Sequence, residues 1–275
     1  MRSLTRSPHA RRVAWLVCCS FWIACGEVAE DPILRLSSEE AFAKGKELMA
    51  VEKYALAREH FAHAFQTAPN SEVGRDSLLL QADAYYLNGG ETNLIRAESK
   101  YRDFRNRYPT SEKGAYVQFQ IAGSLEQRRR KPDRDQGETI KAIAAYEELL
   151  TLYPTSEFSS EAESGIARLR VTLAEHVYLV ARYQFRRGLV PASVNRLESL
   201  VDEYPDYPEL DKVLCMLGRG WQRLEQTEKA AATFARLRSE YPGSEPCRGV
   251  KELTVEEAPV EEAPVEEEPA EEETA

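Results

Sequence analysis

The sequence predicts an all-α protein, a right-handed α-solenoid of about five helix hairpins, on three observations. With 43% apolar residues the 275-residue chain can bury a core, Gly and Pro number only 14 each, and Ala, Leu, Glu, Arg and Tyr are plentiful, which favours helix over strand. A proline-centred stop recurs five times, as Ala68-Pro69-Asn70-Ser71, Tyr108-Pro109-Thr110-Ser111, Tyr153-Pro154-Thr155-Ser156, Tyr204-Pro205-Asp206 and Tyr241-Pro242-Gly243-Ser244. Between the stops, small and large apolar residues return at helical spacing. Proline cannot continue a helix and biases the residue before it away from the helical region, so each stop ends a helix and turns the chain.

The elements follow in order. Arg2, Arg6, Arg11 and Arg12 precede an apolar run from Val13 to Ala24, broken only by Ser20. A span of the hydrocarbon core needs roughly 20 residues, so this shorter run reads as a signal peptide, residues 1–24. It ends at Trp22-Ile23-Ala24-Cys25-Gly26, which resembles a bacterial lipobox with Trp22 where Leu is usual. Cys25 is then the expected lipidation site and mature N-terminus, and Gly26 is compatible with sorting to an outer membrane. The alternative is an ordinary signal cleaved nearby, with Cys18, Cys19 and Cys25 merely apolar. Residues 25–36 form the expected tether.

Residues 37–249 hold the hairpins. The stops lie 40, 45, 51 and 37 residues apart, against about 34 for a tetratricopeptide (TPR) unit, so some units carry insertions. Gly45, Leu48, Ala57, Phe61, Ala64 and Pro69 match the TPR positions without a gap, as do Leu214, Leu217, Gly218, Trp221, Ala230, Phe234, Leu237 and Pro242. Gly45/Ala57 and Gly218/Ala230 are expected to let the helices of a hairpin approach, with the large residue that follows filling the space between neighbours. The second unit sets Ala82, Tyr85 and Gly89 against Ala97, Tyr101, Phe104 and Pro109. The third sets Ala122 and Leu125 against Ala142, Tyr146, Leu149 and Pro154, around a charged loop, Arg128 to Asp135. In the fourth, periodicity from Ser159 to Arg187 predicts one long or kinked helix before Gly188, and a partner from about Pro191, a favoured helix start, to Tyr204. A single hairpin cannot bury both faces, so the hairpins must stack.

Residues 250–275 repeat Val-Glu-Glu-Ala-Pro and decay. Such a tract has too little apolar surface to fold and repels itself, so an extended tail is expected. The net charge of −10 belongs to this tail, which carries eleven Glu and one Lys; residues 25–250 hold 31 basic and 35 acidic side chains. A near-neutral body gives no case for nucleic acid, which demands a clustered basic face. Beyond the signal and Cys25 only Cys215 and Cys247 remain, too few for a disulfide framework; they could bridge in an oxidising compartment or stay separate thiols.

No residues support catalysis. There is no phosphate-cradling glycine loop, nucleophile elbow or persuasive Cys/His pair. His60 and His63 share a helix face, but further ligands for a metal shell are not evident, and His176 reads as structural. Arg128 to Lys131 could meet phosphate headgroups or an acidic partner, or form a solvated loop diluted by Asp133 and Asp135. No cofactor is expected beyond a covalent lipid on Cys25.

With the repeats in place, several stretches resemble the BamD family of β-barrel assembly lipoproteins: Leu173-Ala174-Glu175-His176, Val180-Ala181-Arg182-Tyr183, Arg187-Gly188, Val194-Asn195-Arg196-Leu197-Glu198, Asp202-Glu203-Tyr204-Pro205, Asp133-Arg134-Asp135-Gln136 with Thr139, and Tyr153 to Phe158. The likeness runs from about Ser37 to Ser244. It implies a lipid-anchored subunit on the periplasmic side of the outer membrane that binds a periplasmic domain of a barrel-forming subunit, meets unfolded barrel precursors, and works beside accessory lipoproteins. Arg196, with Asn195 and Glu198, matches the family arginine that pairs with an acidic residue on the barrel subunit.

In a TPR stack the first helices line the concave face, and register from the small-residue positions puts Phe42, Lys46, Met49, Asp83, Tyr86, Phe119 and Gln127 there. Such a groove suits an extended peptide, with aromatic contacts supplying burial and Lys46 able to meet a C-terminal carboxylate. Packing between repeats is the other reading of these residues. The rival function is a different periplasmic TPR adaptor, for example one coordinating envelope constriction with peptidoglycan synthesis.

Overall fold

A computed structural model describes residues 32–243 and Cys247. The signal, Cys25 and the acidic tail lie outside the described residues. After a 3-10 turn at Pro32–Arg35 come ten helices: α1 Ser38–Ala50, α2 Tyr54–Thr67, α3 Glu72–Asn88, α4 Glu91–Arg107, α5 Gly114–Gln127, α6 Gly137–Leu152, α7 Ser159–Arg186, α8 Val190–Glu203, α9 Leu210–Arg223 and α10 Thr227–Glu240. Each helix packs on the next, and α1 also touches α3 and α7 touches α9, so the five hairpins stack with their first helices side by side.

The proline stops are tight backbone turns. An N–H···O=C bond spans residues 68 to 71, 108 to 111, 153 to 156 and 204 to 207, each at 3.1 Å. Ser71 then caps α3, its Oγ accepting from the Gly74 N–H at 2.9 Å. The tyrosines also reach back one unit. The Tyr108 hydroxyl donates to the Pro69 carbonyl at 3.0 Å, and the Tyr153 hydroxyl lies on Gly114, where any Cβ would collide with it. Within hairpins, three turns share one bond, from the N–H of Lys53, Leu189 and Gln226 to the carbonyl of Leu48, Gln184 and Trp221. That bond wraps a left-handed residue, filled by Gly188 at φ +80° but by Glu52 at +58° and Glu225 at +60°.

The glycine positions differ from expectation. The large residue fills space inside its own hairpin: a Cβ on Gly45 would come within 2.5 Å of the Phe61 ring, and one on Gly218 within 2.6 Å of Phe234. Ala57 and Ala230 are buried beside these rings. Between hairpins, Gly165 of α7 receives Tyr146 of α6, whose ring would stand 2.8 Å from a Cβ at that position. The core forms two clusters, one from Leu78 to Leu169 and one from Ala174 to Leu237. The 28-residue α7 is unbroken and belongs to both.

The charged loop is a pinned connection, so neither a solvated loop nor a phosphate site describes Arg128. Its side chain is only 8% exposed and pairs with Glu98 at 2.9 Å and with Glu138. The buried Gln136 amide donates to the Lys131 and Arg134 carbonyls, both at 2.9 Å, and accepts the Thr139 hydroxyl at 2.8 Å. His176 of α7 bonds the Pro132 carbonyl through Nδ1 at 2.6 Å. His63 likewise bonds the Leu36 carbonyl at 2.9 Å, so the last part of the expected tether is folded against α2. Cys215 and Cys247 form a disulfide, Cα to Cα 5.6 Å.

A carboxylate ties the second and third hairpins. Asp83 of α3 accepts from the Tyr101 hydroxyl of α4 at 2.6 Å and from the Tyr116 hydroxyl of α5 at 2.8 Å. Desolvation pushes the Asp83 carboxyl above its usual range against these two donors, and burial beside Asp83 pushes both phenols upward.

Gly218→Val forces a branched side chain into the Phe234 ring and is expected to cost about 1–3 kcal/mol in urea unfolding; an unchanged midpoint would show that the seat is not needed. For Asp83 the sign is set by a raised folded-state value. Its favourable contribution is full below the ordinary carboxylate range and is lost as pH rises through the raised value. Asp83→Asn, which keeps the acceptor oxygen, should therefore gain stability relative to the parent between mildly acidic and neutral pH. Asp83→Leu strands two hydroxyls and should cost about 1–3 kcal/mol.

Candidate binding surfaces

The first helices bring Phe42 of α1, Leu79, Leu80 and Asp83 of α3 and Tyr116 of α5 to one groove of about 590 Å³, closed by Phe158 at the start of α7. The reason is periodicity. Ala41, Gly45, Leu78, Ala82, Ile121 and Ala122 face the hairpin interiors and are buried, which turns the adjacent faces inward along the stack. The lining rings Phe42, Tyr116 and Phe158 are backed by others: Phe42 sits 6.1 Å from Phe61, Tyr116 lies 6.0 Å from Phe158, and Phe119 stacks on Phe158 at 5.0 Å and meets Tyr146 at 5.9 Å.

The expected groove residues thus divide. Phe42 and Asp83 line the groove together. Phe119 is half-buried in the packing behind Phe158, which is the inter-repeat role left open by the sequence. Tyr86 and Gln127 bond each other beside Gly123, whose Cβ position is 3.0 Å from the Tyr86 hydroxyl, and burial raises the Tyr86 phenol. Exposed Lys46 places its Nζ 4.7 Å over the Phe42 ring, a cation–π contact. Met49 is half-buried further along α1.

Sequence reasoning found the stops but missed that the residues after two of them line the groove. Glu112, Lys113, Ser156 and Glu157 follow Pro109 and Pro154, and the turns carry them onto the groove wall. With Asp76 and Asp83 they make a lining of four carboxylates against one lysine. Arg75 sits 3.7 Å from Asp76 at its edge. An acidic wall disfavours the C-terminal carboxylate foreseen for Lys46 and suits apolar, neutral or basic segments.

On α8, Val194, Leu197, Leu200 and Val201 are buried, which leaves Asn195, Arg196 and Glu198 exposed on the outer surface. Arg196 Nε donates to Gln184 Oε1 at 3.4 Å, and no carboxylate among the described residues pairs with it. Gly220 of α9 packs directly on Val194, fixing α8 from behind. Among the described residues no three His, Cys, Asp or Glu side chains group as a metal site, and no described helix is long and apolar enough to cross a membrane.

Comparison with known proteins places this arrangement. The profile of the YfiO family, described as outer membrane lipoprotein, matches residues 35–237. The chain is similar to the outer membrane protein assembly factor BamD of Neisseria meningitidis serogroup A, 24% identical over 215 residues covering 76% of this chain and 80% of that one. It is 22% identical to the protein of that name from Caulobacter vibrioides over 246 residues, 88% and 79% of the two chains. Among solved structures it is similar to the TPR2AB domain–pHSP90 complex of yeast Sti1, at 16% identity, 74% and 78% coverage and a TM-score of 0.41. The ten-helix body from the first turn to α10 is thus that of the YfiO/BamD outer membrane lipoproteins, and the chain belongs to that family.

Proposed function

We propose that this chain is a subunit of the machinery that assembles and inserts outer-membrane β-barrels, held at the periplasmic face of the outer membrane by a lipid on Cys25 and acting as a binding scaffold. The observation that carries the reading is the family match across almost the whole helical body, with relatives named as outer membrane protein assembly factors. The two surfaces divide the work. The groove of α1, α3 and α5 takes extended segments of unfolded barrel precursors, burying their aromatic side chains against Phe42, Tyr116 and Phe158. The outer face of α8 docks the periplasmic domain of the barrel-forming subunit through Arg196, flanked by Asn195 and Glu198, and accessory lipoproteins join elsewhere.

This division suits the physical properties of each surface. A precursor in extended form presents alternating side chains, and an aromatic-lined groove accepts them without demanding one sequence. An arginine that no carboxylate among the described residues pairs with offers several donors in fixed geometry to an acidic residue on a partner.

Affinity purification from membranes is the direct test. Arg196→Glu should reduce recovery of a large barrel protein by about tenfold or more, the effect of losing a charged interface pair worth about 2 kcal/mol. Phe42→Ala should spare that recovery and weaken capture of unfolded barrel segments. Recovery of peptidoglycan-synthesis or division proteins in place of barrel proteins would overturn the reading in favour of an envelope-constriction adaptor. Fatty-acid labelling that is abolished by Cys25→Ala checks the anchor.

A further inference from the structure

The opposite end of the scaffold carries a second groove, of about 910 Å³, between α7 and α9. Its charge is the inverse of the first. Arg182, Arg186, Arg219, Arg223 and Lys212 line it against a single carboxylate, Asp211. Lys212 is occupied by Glu209, whereas Arg182, Arg186 and Arg223 have no ion pair among the described residues. Arg223 lies over the Phe185 ring at 4.2 Å and Arg182 over Tyr178 at 5.8 Å, so the guanidinium groups stand on aromatic faces along the groove. Cys215 lines the same groove and holds Cys247 by the disulfide.

That disulfide holds Cys247, the last described residue before the acidic tract, beside the groove that the arginines line. Five residues after Cys247 the acidic tract begins at Glu252, and Glu256-Glu257, Glu261-Glu262, Glu266 to Glu268 and Glu271 to Glu273 follow at five-residue intervals. Five residues reach at most about 18 Å, while Arg223 is two turns along α9 from Cys215, about 12 Å of rise. We propose that the acidic tail, residues 251–275, folds back and occupies the α7/α9 groove of its own chain. Of the two grooves the charges are complementary at this one, because the α1/α3/α5 groove presents four carboxylates of its own. Tethering at Cys247 gives the tail an effective concentration in the millimolar range, so pairing that is weak between separate molecules is enough to fill the groove. The tail thereby shields an arginine-rich surface on the two hairpins that also carry the α8 docking face, and an acidic partner must displace it.

The full chain, isotopically labelled and purified in detergent with its disulfide intact, provides the test through the amide signals of the tail. At about 0.01 M salt, where the Debye length is about 30 Å, signals from Glu256 to Glu268 should be attenuated, and at about 1 M, where it is about 3 Å, they should recover about threefold or more. The double variant Arg182→Glu/Arg186→Glu should show the recovered signals at low salt. So should Glu256→Gln/Glu257→Gln/Glu261→Gln/Glu262→Gln, which leaves the helical body untouched. Tail signals equally sharp in parent and variants overturn the proposal, as does attenuation that persists when the arginines are reversed, which places the tail elsewhere. Attenuation that grows with protein concentration assigns the groove to the tail of a second copy and overturns occupancy within one chain.

Discussion

The whole scaffold depends on helices approaching where one of them has no side chain. Phe61 rests on Gly45, Phe234 on Gly218 and Tyr146 on Gly165, with the backbone of one helix serving as the floor for the ring of another. A ring held this way is removed from water on both faces, worth about 2–3 kcal/mol of apolar burial each. The contact also fixes how far apart the helices stand and which residues turn inward. Once the hairpins are closed, their outer faces remain apolar, and stacking is the only way to bury them.

The stack is not uniform. In the middle, polar groups join units, Asp83 with Tyr101 and Tyr116 and Arg128 with Glu98 and Glu138, while Gln136 holds the carbonyls of its own loop. Any of these groups would be costly if left unpaired. They therefore fix register between hairpins in a way that apolar contact alone does not. Along the same axis α7 contributes to both core clusters, so one unbroken helix joins the end that holds the acidic groove to the end that holds the basic one.

Family-like stretches prove to be largely structural when placed in three dimensions. In Leu173-Ala174-Glu175-His176, Ala174 is buried against the second cluster, Glu175 accepts the Tyr207 hydroxyl and His176 anchors Pro132. Asp133-Arg134-Asp135-Gln136 with Thr139 is the loop that His176 anchors, Gln136 supplying its internal bonds. These two stretches, some forty residues apart, are one feature. Val194-Asn195-Arg196-Leu197-Glu198 differs, because its apolar members are buried while the polar ones face outward with little to hold them.

By itself the sequence determined the helical class, the five hairpins and the stops between them, since proline stops and small–large apolar spacing act locally and reach no further than a few turns. The first four stops became hydrogen-bonded turns, the long fourth-unit helix ran unbroken, and Phe234 and Leu237 went to the core as their spacing implies. Only the tertiary structure decided which ring sits on which glycine, that Arg128 is interred, that Cys215 meets Cys247, and that Glu112 and Glu157 turn one groove acidic while Arg182 and Arg223 turn the other basic. The physical reason is range: backbone preferences are set by near neighbours in the chain, whereas charge and contact at a groove are sums over residues that only stacking brings together.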